Sequence, residues 1–266
     1  PITASNCPAG TTFVTGVQLL APCNQTNFCS LTPRGGGTIT GTRNIPLTAD
    51  PILISGTVFI GDAAGTAANV TFAAGQRFVT QSVSGIVDLL VVARGSLLNA
   101  AGTAASPIVF TSMQDFNDDG MPNGSTGTGE WGGLAINGRA PLNECTVNPA
   151  ALAGTDACRQ NGEGGSGVFG GADANDSSGV FRYVRIQHAG FPFTPTNELN
   201  SVALQGVGRG TTFEFVQVHR GADDGFEWFG GTVNANHLVV TGANDDSLDW
   251  TDGWSGAVQF AVVVQQ

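Results

Sequence analysis

Short runs in which hydrophobic and polar residues alternate occupy most of the chain from Leu47 onward. Glycine, Ser-Pro and other turn residues separate the runs, and none of them keeps helical spacing long enough for a crossover helix. The clearest runs lie at 52–54, 58–60, 69–72, 77–80, 89–93, 96–98 and 108–110. Alternation with a period of two is typical of strands, so the pattern predicts an all-β chain of many short strands.

The last part of the chain contains a repeat. The sequence Asp-Asp-Gly-Phe-Glu-Trp at 223–228 returns as Asp-Asp-Ser-Leu-Asp-Trp at 245–250, which is 22 positions later. The β-rich run that begins at Phe215 returns at His237, 22 positions on, and at Phe260, 23 positions further. A period of this length is typical of a solenoid in which each repeat forms one coil. We therefore predict a parallel β-helix made of stacked coils.

Stacking of the coils brings the acidic residues of the repeat together. Parallel strands of neighbouring coils lie about 4.8 Å apart, so residues one period apart lie almost on top of each other. The repeat predicts that Asp223 lies near Asp245 and that Glu227 lies near Asp249. Like charges at such spacing repel unless a cation or a proton intervenes, or unless the side chains turn toward water.

Three hypotheses explain this acidic ladder. In the first, Asp223, Glu227, Asp245 and Asp249 hold Ca²⁺ between coils. In the second, one carboxyl is a general acid and another a general base of an enzyme. The residues of that hypothesis are Asp223, Asp224, Asp245 and Asp246, with Arg220 nearby. In the third, the acidic steps are turns whose carboxylates accept backbone N–H bonds and face water.

A second calcium site is expected in a polar segment in the middle of the chain. Asp115, Asn117 and Asp119 precede Gly120 at the spacing by which oxygen ligands wrap a calcium ion. The segment departs from the EF-hand pattern at Thr126, where a bidentate Glu is required. A solvated turn rich in Asp and Asn is the alternative.

Composition restricts the partners. The chain of 266 residues has 10 basic residues, all of them Arg, against 21 acidic ones, which gives a net charge of −11. Nucleic acids and anionic membranes are therefore poor partners, whereas cations are good ones. No apolar run is long enough to be a transmembrane segment.

Five cysteines lie in two loop-like regions outside the repeats. Cys145 and Cys158 bracket one loop and are expected to form a disulfide, and two of Cys7, Cys23 and Cys29 are expected to form another. Disulfides of this kind point to a protein outside the cytoplasm.

The domain organisation follows from the distribution of these runs. Residues 1–46, rich in Cys, Pro, Thr and Gly, are predicted to form an N-terminal cap that carries a disulfide. Residues 47–266 are predicted to form the β-helix, with long loop insertions at about 113–130 and 142–178. Insertions of this length usually protrude from a solenoid.

Several segments resemble a known family. The run from Ala93 to Ser112 looks like the coil signature of right-handed parallel β-helix proteins. Further segments at 131–134, 179–184, 206–211 and 223–231 are similar to those of a pectin-lyase-like family of secreted or lipid-anchored surface proteins of Gram-negative bacteria. The resemblance implies a single right-handed parallel β-helix and an extracellular or cell-surface location.

The resemblance also provides a test for enzymatic function. Polygalacturonase-like enzymes share an Asp-Asp pair with this chain, but they also have Gly-His-Gly and a later Arg-Ile-Lys. This sequence has no Gly-His-Gly and no Lys, and its Arg185-Ile186 precedes the acidic residues. Pectate lyases combine calcium-binding acids with an Arg or Lys base, and the Arg residues here lie in no matching motif.

We therefore expect a non-catalytic extracellular structural or adhesive protein that is stabilised by calcium. The strand-like run at 262–266 is a template for a strand of another subunit, so coils of separate molecules are expected to stack end to end into fibres. A polysaccharide lyase or glycoside hydrolase is one alternative. A glycan-binding module is another, with a sugar-stacking platform formed by Trp131, Trp228, Trp250 and Trp254.

Overall fold

Parallel strands wound into stacked coils form most of the regular structure, as the short alternating runs predict. A computed structural model describes residues 2–17, 26–62, 64–80, 87–116, 127–194 and 197–265. The helices within this part are three short 3-10 helices, at Ala4–Asn6, Met113–Asp115 and Glu163–Gly165. None of them is long and apolar enough to cross a membrane.

The strands fall into coils and hairpins. Before the coils lie β1 (Thr12–Val14) and β2 (Phe28–Ser30). Coils with three separate strands follow: β3 (Gly36–Ile39), β4 (Gly41–Ile45), β5 (Ile52–Ile54), β6 (Thr57–Ile60), β7 (Ala68–Phe72), β8 (Arg77–Thr80), β9 (Leu89–Val92), β10 (Leu97–Ala101) and β11 (Ile108–Ser112).

In the later coils, two strands of each coil merge into one long strand. These coils and the hairpins inserted between them contain β12 (Gly133–Asn137), β13 (Gln160–Gly162), β14 (Gly167–Phe169), β15 (Gly179–Gln187), β16 (Phe191–Thr194), β17 (Asn197–Leu199), β18 (Val202–Gln205), β19 (Thr212–His219), β20 (Phe226–Phe229), β21 (Ala235–Thr241), β22 (Leu248–Thr251) and β23 (Val258–Val264).

The strands stack into two large sheets that run along the coil axis. A seven-stranded sheet has the order β22-β20-β18-β12-β9-β6-β3, and all its neighbours are parallel. The second sheet has twelve strands and forks at β15, whose first half pairs with β10 and whose second half pairs with β11. Each coil therefore contributes one strand to each of three faces.

A residue in the left-handed backbone region bends each long strand at the boundary between two faces. Tyr183, Phe215, His237 and Phe260 have φ between 48° and 61°. Their rings stack on one another, with centroids 4.6, 4.2 and 4.8 Å apart along the axis. A non-glycine residue at positive φ costs about 1–3 kcal/mol, and the ring stacking opposes that cost. We call these four residues the bend ladder.

The core fills the space inside the coils. Alternate residues of all three faces point inward, and β6 shows the alternation directly because Val58 and Ile60 are buried while Thr57 and Phe59 are only half-buried. Aromatic side chains extend along the interior, where the rings of Phe78 and Phe110 stack at 4.8 Å. Core packing of this kind holds each coil to the next one.

The N-terminal residues lie against the start of this stack. β1 and β2 form an antiparallel pair, and β2 pairs in parallel with β5. The Cys7–Cys29 disulfide, one of the predicted possibilities, ties β2 to the preceding segment. Cys23 lies outside the described residues. β3 and β4 fall within residues 1–46 and already pair in parallel with β6 and β7.

Part of the second insertion packs against the coils. It carries the predicted disulfide between Cys145 and Cys158. Its side chains Leu142 and Phe169 are buried in a cluster against Phe229, which belongs to the outer surface of the seven-stranded sheet. This apolar contact holds that part of the insertion flat on the coils, while most of residues 143–157 are exposed. We call residues 142–178 the flat insertion.

Candidate metal site

The acidic ladder forms where β20 and β22 begin. The two strands pair in parallel with Phe226 opposite Leu248, Glu227 opposite Asp249 and Trp228 opposite Trp250, as the repeat predicts. The Asp-Asp steps at 223–224 and 245–246 form the turns that lead into these strands. The register of the coils therefore places the acidic residues of one copy beside those of the next.

The carboxylates form two groups that share one member. Oxygen atoms of Asp223, Asp224 and Asp245 all lie within 4.8 Å of one another, and we call this set the outer group. Oxygen atoms of Asp224, Glu227 and Asp249 satisfy the same limit, and we call this set the inner group. Asp224 is only 8% exposed, whereas Asp245 is exposed. The ladder thus extends from solvent toward the sheet.

Asp246 differs from Asp224, although the two occupy equivalent positions in the repeat. The backbone N–H of Asp246 donates a hydrogen bond of 2.8 Å to Oδ1 of Asp224, and the side chain of Asp246 is exposed. Asp224 therefore caps the backbone of the following turn, as the turn hypothesis expects for such residues. That hypothesis does not describe the position of Asp224, because its carboxylate is buried and not solvated.

Burial and crowding raise the pKa values of three ladder carboxyls, those of Asp223, Asp224 and Glu227. Burial and then the charge of Glu163 raise the pKa of Glu227 to about 9. Burial raises the pKa of Asp224 to about 7, and the nearby charge of Asp223 adds to the effect. Burial followed by the charge of Glu198 raises the pKa of Asp223 to about 6. Ionising the cluster at neutral pH is therefore unfavourable unless a positive charge joins it.

Asn200 connects the ladder to a further carboxylate. Its Nδ2 donates to Oε2 of Glu227 at 2.5 Å and to Oε2 of Glu163 at 3.4 Å. Glu163 belongs to the 3-10 helix between β13 and β14 of the flat insertion. Burial and the charge of Asp223 raise the pKa of Glu163 to about 7.

The other end of the Asn200 amide has no protein partner within the described ranges. Its Oδ1 is buried without a hydrogen bond, and the residue is 3% exposed. An unpaired buried oxygen costs about 1–3 kcal/mol, so such a group calls for a ligand. Amide oxygens and carboxylates are the ligands that Ca²⁺ prefers.

Neither Asn200 nor Glu163 belongs to the site that the sequence predicts. The coil register is the feature that could have indicated Asn200. β18 pairs with β20 so that Val202 lies opposite Phe226, and this register places Asn200 opposite Asp224. The coil repeat therefore extends one coil further back, with an offset of 24 in place of 22. No comparable signal exists for Glu163, whose position depends on how the flat insertion packs.

A polar cleft lies between the flat insertion and the seven-stranded sheet. Its volume is about 390 Å³, and Glu163, Glu227, Asp249 and Asp252 all line it. Burial raises the pKa of Asp252 as well. The cleft therefore gives small cations or a polar ligand access to the inner group.

Other predicted site residues lie elsewhere. Asp115 is 1% exposed and accepts a hydrogen bond of 2.8 Å from Oγ1 of Thr111, while Nε2 of His188 lies 3.5 Å from its Oδ1. Asn117 and Asp119 lie outside the described residues, so calcium at that segment stays a prediction. Arg220 follows β19, where its backbone N–H donates to the Thr241 carbonyl at 2.8 Å.

The tryptophans do not form the common platform that the glycan hypothesis requires. Trp131 and Trp228 are fully buried, and Nε1 of Trp131 donates to the Gln187 carbonyl. Trp254 stacks on Trp228 with the ring centroids 5.0 Å apart, and Trp250 is 60% exposed. Trp228 is buried because it occupies an inward-facing position of β20, whereas Trp250, its partner on β22, is exposed in the last coil that the structure describes.

The stacked parallel coils define the chain as a parallel β-helix protein with an acidic ladder at one sheet. Residues 39–266 match the family model described as a pectate-lyase like beta helix domain, and the chain belongs to this family. No curated protein and no solved structure matches the chain.

Proposed function

We propose that this protein is a non-catalytic structural or adhesive β-helix that works outside the cell or at a bacterial cell surface, with calcium joining its coils. The coils wind right-handedly, in keeping with the usual hand of parallel connections, and the part of residues 1–46 that precedes β3 caps the stack. Two disulfides support an oxidising compartment. The family's secreted or lipid-anchored surface proteins of Gram-negative bacteria are the proposed relatives.

One observation carries the calcium proposal. Carboxylates from neighbouring coils converge within 4.8 Å in two groups, and burial together with the charges of nearby carboxylates raises the pKa values of Asp223, Asp224 and Glu227. A divalent cation bound there neutralises the repulsion and bridges adjacent coils. The ligands proposed are Asp223, Glu227, Asp245 and Asp249, with Asp224 shared by both groups.

Calorimetric titration of the metal-free chain with CaCl₂ tests this proposal. We expect saturable binding in the wild type, loss of binding at the inner group in Asp249→Asn, and loss of binding at the outer group in Asp223→Asn. Asp50→Asn is the matched control, because Asp50 is exposed and remote from the ladder in the coil sequence. Equal binding by all four proteins, or by none, overturns the calcium proposal.

End-to-end association is part of the same proposal. Strand β23 exposes Phe260, Val262 and Val264 at 61%, 56% and 49%. An exposed apolar edge pairs readily with another strand, and a second copy of the chain provides one. A following coil of a longer chain would cover the same edge. Electron microscopy with and without EGTA separates the cases, because a copy-to-copy contact gives fibres whereas an intramolecular coil gives single rods.

A polysaccharide lyase or glycoside hydrolase is the second candidate, and the raised pKa values of Asp223 and Asp224 favour it. Glycoside hydrolysis uses one protonated and one ionised carboxyl, and a raised pKa provides the protonated form at neutral pH. In this case Asp223, Asp224, Asp245 and Asp246 act with Arg220. The test is turnover of an acidic polysaccharide by the wild-type chain. If Asp224→Asn and Asp246→Asn abolish this turnover without changing Tm, the result favours the enzyme over the structural protein.

A further inference from the structure

The flat insertion contacts the inner group through a carboxylate that belongs to no coil. Glu163 lies between β13 and β14, an antiparallel hairpin whose strands pair Gln160 with Phe169. Its Oε2 lies 3.4 Å from the amide nitrogen of Asn200, which also contacts Glu227. Two carboxylates from distant parts of the chain thus meet at one buried amide.

The geometry points to a divalent-cation clamp in which Glu163 and Asn200 join Asp224, Glu227 and Asp249 around one ion, so that the ion fixes the hairpin β13–β14 on the coils. This inference rests on the proposed calcium function, and it adds to that function ligands that are not part of the repeat. It assigns the ion a role in holding the insertion as well as in joining coils.

The unpaired oxygen of Asn200 is the observation that singles out the inner group. Oδ1 shares an amide with the nitrogen that contacts both carboxylates, and it is buried without a partner in the part of the chain described. Rotation of the Asn200 side-chain amide by about 180° exchanges the positions of its oxygen and nitrogen. The oxygen then lies between the carboxylates of Glu163 and Glu227, which is favourable only when a cation lies there too.

The number of oxygen atoms suits Ca²⁺. The ion takes about 6–8 oxygen ligands at about 2.3–2.6 Å, from carboxylates bound singly or in pairs and from amide oxygens. Four carboxylates, each of which can bind through one or two oxygens, and one amide oxygen provide that number.

The position of Glu163 determines what the ion holds. The hairpin lies over the cleft, whose lining includes residues of the hairpin and of β20 and β22. The rest of the flat insertion is held by its apolar cluster and by Arg94, which donates to the Gly170 carbonyl and to Asp156. Next to Glu163, the buried Ser166 is held by hydrogen bonds to Asn137 and Gln205. The contact of Glu163 differs from these anchors because it places a carboxylate beside other carboxylates, so it is the contact that a cation strengthens.

Hydrogen exchange and calorimetry of the full chain, with CaCl₂ as the probe, test this clamp. In the wild type, calcium is expected to slow exchange of the amides of β13 and β14. Glu163→Gln and Asn200→Ala are expected to weaken calcium binding by about 10–100-fold, the usual effect of losing groups around a metal, and to abolish that protection. Asn200→Asp keeps an oxygen ligand and is expected to retain the protection.

Control variants separate the clamp from a purely structural effect. Glu144→Gln makes the same chemical change at an exposed position of the same insertion and is expected to behave as wild type. Asp223→Asn removes a member of the outer group alone and is expected to leave calcium protection of the hairpin intact.

One experimental result would overturn both the proposed calcium function and the clamp, and another would overturn the clamp alone. Absence of calcium binding by the wild-type chain overturns the proposed calcium function and the clamp together. A different result overturns the clamp alone. In that result, Asp249→Asn abolishes calcium binding, Glu163→Gln and Asn200→Ala leave it unchanged, and calcium does not slow exchange in the hairpin. The proposed calcium function then stays in place.

Discussion

Glu227 and Asp249 occupy paired positions on the adjacent parallel strands β20 and β22, and their carboxylate oxygens lie within 4.8 Å of each other. The pairing follows from the coil register and brings two like charges to a half-buried position. Such an arrangement is stable in one of two states, with a proton on one carboxyl or with a cation between them. The two states respond in opposite ways to pH and calcium.

Without calcium, stability should decrease as pH rises. The unfolded pKa values lie near 4, and folding raises those of Asp223, Asp224, Glu163 and Glu227 to about 6, 7, 7 and 9. A raised carboxyl pKa stabilises the fold below the unfolded pKa, and this contribution is lost as pH rises through the folded pKa. We expect a falling Tm in EDTA between about pH 5 and about pH 9.

The substitution Glu227→Gln tests whether the acidic ladder causes this decrease in stability with pH. Glu227→Gln removes the group with the highest pKa, so its Tm in EDTA should fall less steeply above about pH 7 than that of the wild type. Circular dichroism during heating gives both curves. Identical slopes for the two proteins would show that the pH dependence arises outside the ladder.

The bend ladder should stabilise the coils through its stacked rings. Phe215 stacks on Tyr183 at 4.6 Å and on His237 at 4.2 Å, and its φ is 53°. Phe215→Ala loses both contacts and keeps the backbone strain, so a loss of about 2–3 kcal/mol is expected. Phe215→Gly loses the rings but relieves the strain and should be about 1 kcal/mol more stable than Phe215→Ala. Urea unfolding measures both, and the reverse order would show that the positive φ at this position costs less than the added backbone entropy of glycine.

The buried pair of His188 and Asp115 should stabilise the fold at low pH. Burial alone lowers the pKa of His188, but the hydrogen bonds to Asp115 and to the Gly127 carbonyl outweigh it and leave the pKa raised. The contribution is therefore present below about pH 6.5 and is lost as pH rises through the folded pKa. Asp115→Asn leaves a buried imidazolium without its counter-ion and should cost about 3–5 kcal/mol at low pH.

Asp50→Asn provides the comparison for that substitution, because Asp50 is exposed and its loss should leave the free energy of unfolding unchanged. Chemical unfolding at about pH 5 and about pH 8 measures both variants. A loss of equal size at the two pH values would contradict a charged His188.

The Cys145–Cys158 disulfide should hold the flat insertion together. It closes a loop with a sequence separation of 13, for which the expected stabilisation is about 3 kcal/mol. Replacing both cysteines by serine should speed hydrogen exchange within residues 142–178 and leave the strands of the seven-stranded sheet protected. Uniform loss of protection across both regions would show that the insertion is not a separate stability unit.

The regular part of the fold is predictable from the sequence because each coil repeats the same pattern. The offset of 22 between Phe226 and Leu248 gives the register of β20 and β22 directly. The offset between Val202 and Phe226 is 24, so a search for a period of 22 does not recognise the preceding coil, which contains Asn200. A two-residue change in turn length is enough to obscure a repeat, although the strands still pair.

The parts that the sequence does not predict depend on contacts between distant segments. Glu163 reaches the ladder because Leu142 and Phe169 attach the flat insertion to the sheet, and no periodic pattern encodes that contact. The burial of Trp228 depends on which side of β20 faces inward, which the repeat alone leaves open. Local pattern determines the coils, whereas packing of the insertion determines the complete site.

The most direct test of the account is thermal unfolding of the full chain at neutral pH in EDTA and in excess CaCl₂. A ligand that binds only the folded state stabilises it by about 2.7 kcal/mol at 100 times its Kd. We predict a clear rise in Tm with calcium in the wild type and in Asp50→Asn, and a smaller rise in a Glu227→Gln, Asp249→Asn double variant, which keeps only the outer group. A wild-type Tm that calcium leaves unchanged would contradict a cation in the acidic ladder.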